Sequence, residues 1–383
     1  MTEVVIVSVA RGYGGAERSI EILLRTLGGL SGPSLRPLVF ASHGWHRAAL
    51  AQPGGLPAGA ELGWMPARPQ WPLRALAAAR LVQVLRRHPS VPVLLNTQTA
   101  AQIAALAARR VPDLGRRTFV YMRDFQWTGF ERIFPSLPGL QVLVPALSVT
   151  RRPDYLRPWL AGLGGEIPWH VVPDMVELPA VRPQASSATP IFLHLAAVST
   201  FKGHADLLDA ATRLDAAGQP VRIDSHGHVA HRRHRKRLAA RIAREGLGRH
   251  VRLAPQLHDP APAIATSRAV LVTTRSYPGG PETFGRTIIE AWAHARPVIA
   301  YACGGPAELV DDGVDGLLVE EGNVAALAAA IARLAADPVL ADRLGRAGLE
   351  KVRRRFAAAT VTRQLVDLLR GEMSEVASHC PQG

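Results

Sequence analysis

Cysteine is nearly missing from these 383 residues: Cys303 and Cys380 are the only two, and Cys380 lies in a polar tail. A disulfide framework and a Cys-rich zinc site are thereby excluded, and a reducing, cytoplasmic setting is expected. Lysine is almost as scarce. Only Lys202, Lys236 and Lys351 occur, so the excess of 45 basic over 31 acidic residues is nearly all arginine. The resulting +14 balance admits a polyanion, an anionic membrane surface or a phosphorylated small molecule as partner, or no more than GC-rich coding bias. No stretch reaches the roughly 18 uninterrupted apolar residues of a membrane span. The apolar run Val4–Val9 has no basic leader and breaks into Arg11-Gly12, so it is expected to be a buried strand, not a signal peptide.

What is present is core material. A 48% hydrophobic content excludes global disorder, and the length allows two or three domains. The Val4–Val9 strand leads into Gly12-Tyr13-Gly14-Gly15 and then a helix with Ile20, Leu23, Leu24 and Leu27 on one face. Strand, glycine loop and helix open a doubly wound α/β domain. Strands are predicted at Leu38–Ala41, Val93–Leu95, Thr118–Met122 and Ala146–Val149, with helices at Leu73–Arg87 and Ala100–Arg110. A proline-rich stretch follows, and strand–helix alternation then restarts at Ile191–Ala197 and runs to Gly316–Val319. The expected organisation is an N-terminal domain over 1–178, a linker over 179–190 and a second α/β domain over 191–354. Over 355–383 come a last helix, placed to cross back to the first domain, and a tail.

The most informative segment is Pro281-Glu282-Thr283-Phe284-Gly285-Arg286-Thr287-Ile288-Ile289-Glu290-Ala291. It follows a predicted strand (Ala269–Thr274) and opens an apolar helix, the place where α/β folds bind ligands. Gly285 permits a tight turn, and the first-turn amides with the helix dipole suit a phosphate. Glu282 and Glu290 flank that position as acceptors for hydroxyl groups. A phosphate cradle between two hydroxyl acceptors describes a nucleotide-sugar.

These residues, with Arg296-Pro297-Val298-Ile299-Ala300, Gly304-Gly305-Pro306-Ala307-Glu308 and Asp312-Gly313-Val314-Asp315-Gly316, resemble the signature of the retaining GT-B glycosyltransferases of family GT4. Gly14-Gly15-Ala16-Glu17-Arg18 is similar to the family's N-terminal glycine loop, and Lys202-Gly203-His204 to its phosphate-binding lysine. The resemblance covers nearly the whole chain and is densest over residues 276–320. It implies an α/β GT-B fold, two Rossmann-like domains facing across a cleft. It also implies a retaining, metal-independent hexosyltransferase that moves sugar from a nucleotide diphosphate-sugar, such as a UDP- or GDP-sugar, to a hydroxyl of a glycan or lipid-linked saccharide.

Carried over by position, Glu282 would hold the donor sugar, Glu290 the ribose, and Lys202 the leaving diphosphate. Phe284, Gly285, Arg286 and Thr287 would offer backbone amides, with Gly14 and Gly15 approaching from the first domain. The pattern departs twice: Ala197 stands where the family has a clamp arginine, for which Arg275 or Arg286 is the candidate replacement, and no histidine ends the Thr118–Met122 strand. There Arg123 and Asp124 are candidates for sugar or acceptor contacts, Asp124 as a catalytic group and Arg123 with Asn96 on the acceptor side. Plain structural roles compete for several of these: a tight turn at Gly12–Gly15, capping at Glu308 and Asn96-Thr97-Gln98, an ion pair at Arg123 and Asp124.

The densest charge cluster runs from His231 to Arg244 on one predicted helix. Without interleaved aromatics it does not suggest nucleic acid, leaving a solvated helix face or peripheral attachment to anionic lipid. Two other functions remain open: transfer to a small natural-product aglycone or aminocyclitol, and non-catalytic binding of nucleotide-sugar.

Overall fold

The computed structural model describes residues 2–10, 14–30, 35–42, 44–66, 71–123, 129–151, 168–179, 189–277 and 280–372. Gly12, Tyr13, Asp124, Cys380 and residues 180–188 of the predicted linker fall outside them. The chain divides into two compact units, Met1–Met175 with Ala358–Gly383, and Val176–Ala357. Each is an α/β layer structure around one parallel sheet.

The first unit holds seven strands: β1 (Thr2–Ser8), β2 (Leu35–Ala41), β3 (Glu61–Trp64), β4 (Val93–Leu95), β5 (Thr118–Tyr121), β6 (Gln141–Val144) and β7 (Trp169–Val171). Their order is β3-β2-β1-β4-β5-β6-β7, every pair parallel. Along β1 the side chains alternate between two cores. Val5 and Val7 join Leu81, Leu85 and Ile103 on one side, while Val4 and Ile6 join Ile20, Leu23 and Leu24 on the other. A strand covered on both faces must be apolar throughout, as this one is. The helix Ala358–Arg370 completes the second core with Val361, Leu365 and Leu369, and Gln364 Nε2 donates to Val171 O at 2.8 Å.

The second unit has six strands: β8 (Ile191–Leu195), β9 (Arg222–His226), β10 (Val251–Ala254), β11 (Ala269–Val272), β12 (Val298–Tyr301) and β13 (Gly316–Val319). They are all parallel, in the order β10-β9-β8-β11-β12-β13. Both sheets therefore start at an inner strand, build outward, and reverse direction beside it, the doubly wound Rossmann arrangement.

One predicted strand is corrected. The apolar run Gln141–Val149 places its strand at Gln141–Val144, and Ser148–Arg151 is helical instead. Pro145 has no amide to give to the ladder, so pairing with β5 stops before it. The short edge strand β3, half exposed, has no apolar signature and was not predicted.

Candidate functional site

In the second unit the strand order reverses between β8 and β11, and the predicted residues gather at the C-terminal ends of those two strands. After β8 the chain turns through Lys202 and Gly203 into the helix His204–Ala216. Gly203 has φ +74°, and a Cβ there would lie 2.2 Å from Thr273 O, so glycine is required. Two hydrogen bonds fasten the turn to the end of β11. Thr273 Oγ1 donates to Lys202 O at 3.2 Å, and Arg275 N to Phe201 O at 2.7 Å. The glycine thus brings Lys202 over the neighbouring strand.

From there the Lys202 ammonium ion-pairs with Glu282 Oε1, and Thr274 Oγ1 donates to the same oxygen at 2.7 Å. Burial alone would raise the Glu282 pKa. The Lys202 charge and the hydrogen bonds from Lys202 and Thr274 outweigh it, and the net shift is downward. Two imidazoles near Lys202 contribute no charge. Burial, then His204 and Lys202, hold buried His194 well below its ordinary value, and burial, then His234 and Lys202, lower His204 to about 4.

The loop carrying Glu282 is shaped by a second glycine pair. Gly305 N donates to Glu282 O at 2.8 Å, and a Cβ on Gly305 would sit 2.5 Å from Phe284 Cα. Gly304, at φ +60°, would place one 2.5 Å from Glu282 O. Gly304-Gly305 therefore lets the turn after β12 press against this loop. Phe284 is buried edge-on to Phe356, with centroids 5.6 Å apart. Gly285, at φ +95°, then starts the helix Arg286–Ala293, whose first amides, those of Arg286 and Thr287 among them, have no acceptor within the helix. Glu290 is buried one turn on, taking a hydrogen bond from Arg286 Nε at 2.9 Å.

The two arginines considered as clamp replacements are both engaged with carboxylates. Arg286 holds Glu290, and Arg275 grips buried Asp206 through Nε (2.8 Å) and Nη2 (2.5 Å). Tyr301 Oη also donates to Asp206, at 2.7 Å. On the far side of the loop, Glu321 accepts from Ser276 N (2.8 Å) and Ser276 Oγ (2.6 Å). Sequence reasoning missed Thr274, Asp206, Tyr301 and Glu321. Thr274 ends a predicted strand and Asp206 stands in the first turn of a helix, which are ordinary positions. Only the fold joins Thr274 to Glu282 and Asp206 to Arg275 and Tyr301.

The first unit shows a different assembly at its own reversal, between β1 and β4. Gly14 N donates to Glu17 Oε2 at 2.9 Å at the start of the helix Gly15–Gly29. Asn96, buried at the end of β4, donates to Ser8 Oγ and Ala16 O, each at 3.1 Å. Its Oδ1 accepts from Arg123 Nε at 3.2 Å. Arg123 stacks over Tyr121 with its guanidinium carbon 3.5 Å from the ring centroid, and pairs with Asp174. Ser19 Oγ donates to the same carboxylate at 2.8 Å. Asn96 and Arg123, predicted as acceptor contacts, thus form one buried network, whereas Asp124 lies outside the described residues. Among the described residues no group of three or more His, Cys, Asp or Glu side chains is arranged to hold a metal.

Residues 181–351 match the family model "Glycosyl transferases group 1". The lipopolysaccharide core biosynthesis glycosyltransferase LpsE of Rhizobium meliloti is 29% identical over 180 residues, 47% of this chain and 49% of the relative. The 2-deoxystreptamine N-acetyl-D-glucosaminyltransferase of Streptomyces fradiae is 31% identical over 208 residues, 51% of this chain and 48% of that protein. The chain spans about half the length of these curated relatives. Among solved structures, Anabaena HepE in complex with UDP superposes with a TM-score of 0.76 at 21% identity, covering 97% of this chain and 100% of that one.

Proposed function

We propose that the chain, whose residues 181–351 match the group 1 glycosyltransferase model, is a glycosyltransferase of GT-B fold that transfers a sugar from a nucleotide diphosphate-sugar to a hydroxyl of a glycan or lipid-linked saccharide, with retention and without a metal. One observation carries the reading: Lys202 and Thr274 meet Glu282 at the strand-order reversal, beside the loop that opens the Gly285-capped helix. A diphosphate seated at that helix start is met by the amides of Arg286 and Thr287 and by the Lys202 ammonium. Glu282, kept ionised by Lys202 and Thr274, accepts hydrogen bonds from the sugar hydroxyls. Glu290, oriented by Arg286, accepts from the ribose. In the transfer step the acceptor oxygen bonds to the anomeric carbon on the face the diphosphate leaves. The carbon–phosphate oxygen bond breaks, and the acceptor proton passes to the departing phosphate. Lys202 offsets the charge that develops there, so its effect is greatest in the transition state.

Support for the donor class comes from HepE, solved with UDP and with UDP-glucose, and support for the acceptor class from the lipopolysaccharide core relative. The match to the 2-deoxystreptamine enzyme favours an aminocyclitol as the second reading. Thermal shift against a panel of nucleotide-sugars identifies the donor, a ligand at a hundred times its Kd raising stability by about 2.7 kcal/mol. Incubating that donor with lipid-extract and aminocyclitol acceptors then separates the two readings. Glu282→Ala is expected to abolish transfer while the chain stays folded, and full activity in that variant would remove the assignment.

A further inference from the structure

Away from the candidate site, the most one-sided surface of the second unit is the helix Arg232–Arg244. Its sequence, RRHRKRLAARIAR, carries seven Lys and Arg side chains, and no acidic residue occurs between Asp224 and Glu245. Leu238 is buried and Ile242 packs half-buried against the core, which fixes the inward face. The outward face presents Arg233, Arg237, Ala240 and Arg244 along one line, with Arg232, Lys236, Ala239 and Ala243 beside it, all exposed. Two of the cations are neutralised. Arg241 pairs with Asp209 and Glu245, and Arg244 with Glu245. Among the described residues no carboxylate pairs with Arg232, Arg233, Arg235, Lys236 or Arg237. The positive surface continues onto the sheet edge, where Arg235, Arg222 and Arg252 line a cavity of about 390 Å³ and the last two share the single carboxylate of Asp224.

We propose that this helix face docks the protein on the anionic surface of a lipid bilayer. Its shape and chemistry select that partner. Thirteen helical residues give a strip about 20 Å long, on which alanines separate the cations. The helix has no aromatic side chain apart from histidine, so it offers neither the stacking platform that single-stranded nucleic acid needs nor the aromatic anchor that centres a protein interface. Long cations without carboxylate partners on one exposed face match a planar array of phosphates. With no large apolar residue outward, attachment is electrostatic and reversible by salt.

Sedimentation of the full chain with vesicles tests this. The protein is expected to pellet with phosphatidylglycerol-rich vesicles, not with phosphatidylcholine alone, and to be released at high salt. Exchanging Arg233→Gln, Lys236→Gln and Arg237→Gln together removes three charges and keeps good helix formers. It should weaken vesicle binding about 100-fold, roughly five-fold per charge, with the melting temperature unchanged. Equal binding to neutral vesicles, binding by the triple variant that matches the wild type, or release from anionic vesicles by an equal charge of duplex DNA would each overturn it. So would a failure to bind anionic vesicles at low salt. The measurement involves no sugar transfer, so its failure and that of the proposed activity are read separately.

Discussion

The two units share one strand order yet differ in what stands where it reverses. In the second unit a cation, Lys202, is carried on a glycine turn and meets Glu282 beside a helix start. At the equivalent place in the first unit Asn96 bridges Ser8, Ala16 and Arg123, while Arg123 pairs with Asp174. The lesson is that topology supplies a location, and the residues placed there decide its chemistry, an ammonium–carboxylate pair beside a helix start in one unit and an amide-centred network in the other.

Five substitutions test that difference, beginning with the largest effect. Lys202→Ala should lower kcat for transfer by about 10²–10³-fold, the usual loss for one electrostatic group aimed at developing charge. Steady-state kinetics with the identified donor reads it, and a change confined to KM would mean that Lys202 only binds. Next, the glycines of the two loops should respond unequally. Gly203→Ala drives a Cβ into Thr273 O at positive φ and is expected to cost about 2–4 kcal/mol in denaturant unfolding. Gly14→Ala, at an extended φ of −154° with its Cβ 3.7 Å from Glu17, should cost under about 1 kcal/mol. Comparable losses at both positions would erase the contrast.

A smaller effect is expected at Asn96→Ala, which leaves Arg123 and Ala16 O without their partner. Stability should fall by about 1–3 kcal/mol by calorimetry, with donor-induced thermal stabilisation retained. Loss of donor response at unchanged stability would instead make Asn96 a ligand contact. The smallest effect concerns pH. Because the folded Glu282 carboxyl titrates below its ordinary 4.5, its contribution to stability is complete above that value. That contribution disappears only as pH falls through the lower folded pKa. Glu282→Gln should flatten that acid limb in melting-temperature profiles, and an unchanged limb would show that the Lys202 pair does not govern it.

Much of the fold could be read in advance because parallel strands buried on both faces are continuously apolar. Val4–Val7, Val93–Leu95 and Ala269–Val272 all announce themselves this way. The edge strand β3 could not, since an edge needs no such pattern, and the Ala146–Val149 strand was misplaced because hydrophobicity alone overlooked the missing amide of Pro145. At the site, the Glu282-to-Glu290 segment was legible through its spacing and glycine. Thr274, Asp206 and Tyr301 were not, because each is separated in sequence from the group it serves and sits in an unremarkable local context. The clamp question shows the same limit. Composition offered Arg275 and Arg286 as stand-ins for a residue missing at Ala197, and their actual partners, Asp206 and Glu290, appear only in three dimensions.

By itself, then, the sequence determined the alternation of strands and helices, the glycines that permit close backbone approach, and the charged residues available at strand ends. These are local properties, set by periodicity and by backbone sterics. The tertiary structure alone decided which charges meet. Lys202 reaches Glu282 and leaves Arg275 to Asp206, and Asn96 and Arg123 lock together instead of standing apart. Such pairings depend on distances of a few ångströms between residues tens of positions apart. Those distances are fixed by strand order and crossover packing, which no local pattern encodes.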